Sequence, residues 1–124
     1  MQDLNAFAEK LDALCRSLPE VEAYTMNFEP PHPAYRAGKK PFLIVGTEPE
    51  DPTLSIKMPL HDQPMFLVDP RITRTAYVGQ HGWVTLQLSR GFAWEEVSRM
   101  VTHSYRHVAL KRMLKALDER LQRV

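Results

Sequence analysis

His103 and His107 stand four residues apart in the stretch MVTHSYRHV, so on a helix their imidazoles share one face and could share a cation. A protein zinc site wants at least three ligands, and neither an HExxH pattern nor a cysteine pair completes the set. Arg99, Arg106, Lys111 and Arg112 flank the two rings and would repel a divalent ion. Solvated or capping histidines are the expectation. Ser104 lies in the same run, away from the glycine-flanked elbow that exposes a catalytic serine. Cys15 falls on an apolar stripe, the setting of a core thiol and not of a nucleophile. Gly38 stands alone beside Lys39 and Lys40, short of a phosphate-cradling loop. Glu48, Glu50 and Asp51 occupy a proline-bounded loop where charges are solvated. No catalytic residue, metal ligand or cofactor is named by these patterns. Because catalytic groups converge in space, an enzyme of unknown reaction stays as a third reading behind two binding readings.

Recognition chemistry is better represented. Lys39, Lys40, Lys57, Arg71, Arg74, Arg90, Arg99, Arg106, Lys111 and Arg112 could contact phosphates, and Tyr77, Trp83 and Tyr105 could stack on bases if exposed. For Trp83 and Tyr105 individually, a half-buried anchor whose polar tip finds a partner is the stronger expectation. The net charge of +1 hides an asymmetry: residues 1–65 carry 6 Lys/Arg against 10 Asp/Glu, and residues 66–124 carry 10 against 5. A basic half can attract phosphates, although folding mixes the halves in space and the pI of about 7.9 is below that of a committed nucleic-acid binder.

The elements that must position these groups follow from periodicity. In residues 3–17, Leu4, Phe7, Ala8, Leu11, Leu14, Cys15 and Leu18 recur at three and four, an amphipathic helix capped by Asp3 and ended by Pro19. EVEAYTMNF reads as a strand and EPPHP as a breaker. Tyr35-Arg36 begins a short second strand, Ala37-Gly38-Lys39-Lys40 turns it, and PFLIVGT continues as a buried strand. LSIKM is a fourth strand and HDQPMFLVDP a connector with room for one helical turn. ITRTAYVG and WVTLQL form a hairpin across Gln80-His81-Gly82, with Val84, Leu86 and Leu88 facing the core. Val97, Met100, Val101, Ser104, Tyr105 and Val108 make one helical stripe. Leu110, Met113, Leu114, Leu117 and Leu121 make a second, rotated by more than a quarter turn, which requires a kink or break near His107. Six strands between terminal helices argue for a single α+β domain: an antiparallel sheet of about six strands with N-terminal and C-terminal helices. Its 124 residues suit one core.

LPEVEAY, AYRAGKKPFLIV, LSIKM, GWVTLQL and WEEVSRMVTHSYRHVALK, in that order over roughly residues 1–112, resemble the conserved segments of the MmcQ/YjbR family. The resemblance implies a fold like that of frataxin/CyaY and secretion chaperones, and many members are labelled DNA-binding. Residues 113–124 extend past the familiar ending as a C-terminal helical extension. The leading expectation is a small cytoplasmic binding module with DNA as the implied ligand, contacted by Lys39, Lys40, Lys57, Arg71, Arg74, Trp83, Arg99 and Arg106. The rival is a protein-interaction or chaperone-like module that uses an apolar groove on the sheet. No membrane partner is expected, since no window approaches a bilayer span and the N-terminus does not read as a signal peptide. The leucine stripe of the tail is expected to pack within a monomer in preference to a homodimer.

Overall fold

A computed structural model describes residues 4–122; the Asp3 cap and the side chain of Leu4 lie outside the described part. Helix α1 (Leu4–Ser17) turns Phe7, Leu11 and Cys15 into the core, while Ala8, expected on the same face, is exposed. Six strands follow, β1 (Val21–Met26), β2 (His32–Ala37), β3 (Lys40–Val45), β4 (Thr53–Lys57), β5 (Ile72–Arg74) and β6 (Trp83–Gln87). They form one antiparallel sheet in the order β1-β2-β3-β4-β6-β5. Two short helical turns, Leu60–Asp62 and α2 (Gln63–Phe66), bridge β4 to β5. Helices α3 (Trp94–Val108) and α4 (Lys111–Gln122) end the chain. The fold is α+β, and α1 and α3 cover one face of the sheet.

Two details shape the opposite face. In the β2–β3 ladder Tyr35 pairs with Leu43 and Arg36 with Pro41, so Phe42 is an extra, unpaired residue. This bulge lets the consecutive Phe42 and Leu43 both reach 0% exposure, and it is where a proline without an N–H fits a sheet. It also brings Pro41 and Ile44, three apart, onto the open face. The second strand starts at His32, inside the segment expected to break it, because Pro33 stands beyond the last β2–β3 pair, Ala34 with Ile44.

ITRTAYVG is not one strand. β5 ends at Arg74, residues 75–78 turn away, and Tyr77 sits at φ 67. Gln63, buried on α2, braces this turn: its side-chain amide donates to the carbonyls of Gly79 (2.7 Å) and Trp83 (2.9 Å). The Trp83 carbonyl also accepts the Thr75 N–H at 3.3 Å, so the pairing with β6 reaches Thr75 before the chain turns. Gly82 closes the connection at φ 99, pressed so closely on the Met58 carbonyl that a Cβ would collide with it.

All six residues of the α3 stripe are buried, and Ser104 donates to the Phe42 carbonyl at 3.3 Å. Glu96 accepts from the Ala93 N–H at the helix start, and Glu95 and Glu96 suit its positive end. The expected break comes at Ala109, in extended conformation, after which α4 turns back. Met113 and Leu117 are buried, whereas Leu110 (42%) and Leu121 (58%) stay exposed. No helix among the described residues is long and apolar enough to cross a membrane.

Candidate binding groove on the open face of the sheet

Alternation along β4 sends Leu54 and Ile56 into the core and leaves Thr53, Ser55 and Lys57 on the open face. Cross-strand pairing sets Ile44 and Thr85 on either side of Ser55, and Trp83 beside Lys57. Of these, Ile44, Thr53, Ser55, Lys57 and Trp83 floor a groove of about 720 Å³, and Thr85 stands beside it. Its walls are Met26, Phe28 and His32 at the β1–β2 end and the turn Thr75–Val78 at the other, with Pro41 also in its lining. Gly46 belongs to the floor, and a Cβ there would collide with the Thr53 hydroxyl, so the absent side chain keeps that end open.

The chemistry of the groove is mixed. Ser55 Oγ lies 2.9 Å from Thr85 Oγ1, which lies 2.9 Å from Thr75 Oγ1. Three hydroxyls in a chain use two of their three hydrogens on one another, leaving one to donate outward. Phe28 is 49% exposed on the rim, and its ring meets His32 edge-on. The His32 Nδ1–H donates to the Pro30 carbonyl at 2.7 Å, which fixes the proton on that nitrogen. Tyr77 is 95% exposed on the opposite rim. No carboxylate lines the groove, and Lys57 is its lysine.

The structure does not gather the eight sequence-derived contacts. Lys57 and Trp83 share the groove, though Trp83 is only 7% exposed, more deeply set than the expected half-buried anchor. Lys39 and Lys40 border a separate hollow with Leu110 and Arg112 at the β2–β3 turn. Arg74 ends β5 and packs its stem against Gly79. Arg99 and Arg71 line a cleft of about 540 Å³ between α2 and α3 with Phe66, Phe92, Met100 and His103. Arg71 is occupied there: it holds Asp69 at 2.7 Å, Glu96 at 3.1 Å and the Gly91 carbonyl at 2.6 Å, and its guanidinium lies 4.1 Å over the Phe92 ring. Asp69, held by that guanidinium, ionises below the usual carboxylate range. Arg106 pairs with Asp118 on α4. Tyr105, a candidate for stacking, is fully buried, with its hydroxyl donating to the Pro19 carbonyl.

The other candidates resolve similarly. Cys15 is a buried thiol, pushed up to about 12 by burial. His103 bonds Asp62 at 3.0 Å, and no group of three or more metal-ligating side chains occurs among the described residues. Phe28, His32, Ile44 and the hydroxyl chain were missed by the sequence reading. Only the polar alternation Thr53, Ser55, Lys57 could have hinted at them.

A family model named YjbR matches residues 16–107. The chain is also similar to a crystal structure of the Deinococcus radiodurans protein DR2400, described under the family-model domain DUF419. There the TM-score is 0.73 at 18% identity, over 90% of this chain and 87% of that one, a likeness of fold. No curated protein matches the chain.

Proposed function

We propose, from the premise that this chain belongs to the YjbR family, that it is a binding module taking a short polypeptide segment of a partner protein into the groove on the open sheet face. The observation that carries this reading is Tyr77. A tyrosine in left-handed conformation costs about 1–3 kcal/mol, and here that strain holds a ring 95% exposed at the rim of an apolar groove. The Val78 N–H, donating to the Ala76 carbonyl at 2.8 Å, closes the turn that presents this ring. The volume of about 720 Å³ lies within the range of ligand clefts. DNA binding, implied by the resemblance, is less well supported, because the candidate cations border different hollows and Arg71 and Arg106 are engaged by carboxylates. We assign no reaction, and we place the module in the cytoplasm, where its lone buried thiol stays reduced.

Selection of a random peptide display library on the immobilised protein tests the reading. Enriched peptides should bind the Tyr77→Ala variant at least tenfold more weakly. Recovery of no binders, or equal binding by that variant with its fold intact, overturns the groove as the site.

A further inference from the structure

We infer that the segment taken by the groove is extended, apolar or aromatic in the main, and carries an acidic residue that meets Lys57; this deepens the proposed function and rests on it. Three observations on the groove lead there.

The first is length. The lining runs from Met26 on β1, through His32, Ile44 and Ser55 on β2, β3 and β4, to Trp83 on β6. That path crosses four inter-strand spacings, roughly 19 Å at about 4.8 Å each, which about six extended residues span. A compact small molecule would leave much of it empty.

The second is polarity along the floor. Met26, Ile44 and Trp83 offer apolar surface, and the Ser55–Thr85–Thr75 chain offers one spare donor hydrogen beside unused oxygen lone pairs. A peptide backbone presents both carbonyls and N–H groups, so it can use both. A plain hydrocarbon would bury these hydroxyls without replacing their water.

The third is charge. Lys57 lines the groove with no carboxylate beside it in the lining. Glu22 on β1 is already held by Arg36 at 2.7 Å. A cation beside an apolar floor and an indole, its charge uncompensated, favours an anion and repels a basic segment. A carboxylate reaching it would make a charge-assisted hydrogen bond sheltered on one side by Trp83.

The display selection reads this separately from the groove itself. Peptides enriched on the native protein should combine aromatic or aliphatic residues with an Asp or Glu. Synthetic copies with that acid replaced by its amide should bind about tenfold more weakly, the size expected for losing one charged hydrogen bond. Lys57→Gln should weaken the acidic peptides by a similar factor and leave the amide copies unchanged. Lys57→Glu should shift the enriched pool toward Lys and Arg. Peptides that lose affinity in Tyr77→Ala yet show no acidic bias and no response to either Lys57 variant would overturn the inference and leave the groove in place. Binding that is insensitive to Tyr77→Ala would overturn the groove reading first. Thermal unfolding of each variant separates these outcomes from misfolding, and Lys57→Gln serves where the charge reversal fails to fold.

Discussion

The hydroxyl of Tyr105 donates to the carbonyl of Pro19 at 2.7 Å, tying the buried face of α3 to the turn between α1 and β1 across 86 residues. Removing it leaves a buried acceptor without a partner. Tyr105→Phe should lower the unfolding free energy by about 1–3 kcal/mol in urea titration, with peptide binding at the groove unchanged.

Arg71 is engaged within the fold. It clamps Asp69, Glu96 and the Gly91 carbonyl, and so ties the start of β5 to the start of α3. Arg71→Met should lower the Tm by several degrees, and Arg99→Met, on the exposed outer part of the same cleft, should leave it unmoved. Equal effects in differential scanning would contradict this division of roles.

Acid should weaken the protein through specific carboxylates. Asp12 is lowered from 3.8 by the Tyr35 hydroxyl and then by Arg16, Asp69 from 3.8 by Arg71, and Glu20 from 4.5 by Arg112. Each folded pKa lies below its unfolded value, so the unfolded chain binds more protons in that window. Their stabilisation is therefore present above about pH 4.5 and lost as pH falls through the folded values. His107, also lowered from 6.5, acts with the same sign at higher pH. Tyr35→Phe should raise the Asp12 pKa and move the acid transition upward, as measured by urea midpoints across a pH series.

Duplex DNA should bind weakly. With the candidate cations on separate surfaces, few phosphates can be met together, and the salt slope follows that number. A mobility-shift titration should show no micromolar complex even at low salt. A tight complex with a steep slope would restore the nucleic-acid reading.

Two leucines of α4 separate intrachain packing from self-association. Leu117 is 6% exposed and Leu121 is 58% exposed. Leu117→Ala should cost about 2–3 kcal/mol, at the lower end for a leucine truncated near a surface, and Leu121→Ala close to nothing. Sedimentation at tens of micromolar should give a monomer for both the native chain and Leu121→Ala. A dimer that Leu121→Ala dissolves would assign the exposed stripe to a second copy.

The elements were legible where one segment carries its own pattern. The α3 stripe from Val97 to Val108 repeats on a single helix, and the alternation in WVTLQL separates core from surface within one strand. Legibility ended where distant residues act together. Nothing near Thr75 announces that Gln63 will brace the following turn by donating to the carbonyls of Gly79 and Trp83. The bulge shows in sequence only as a proline beside two adjacent apolar residues, Phe42 and Leu43. The groove is a row across strands: Ile44 meets Ser55 and Lys57 meets Trp83 by cross-strand pairing, and no local period connects them. The basic residues border different hollows for the complementary reason, since charge counted along a chain carries no direction in space.

α4 has a consequence for the order of events in folding. Its Arg112 holds Glu20 at 2.8 Å and its Arg120 reaches the Ser17 carbonyl, contacts spanning 92 and 103 residues. It also packs Met113 over the β2–β3 turn, where Gly38 leaves room for the methionine tip. Contacts between such distant positions close a loop that is favourable only once the intervening sheet exists. The last helix should therefore dock late in folding and open before α3 does. Its amides should exchange with solvent ahead of those of α3, which makes α4 a latch on the seam between α1 and β1.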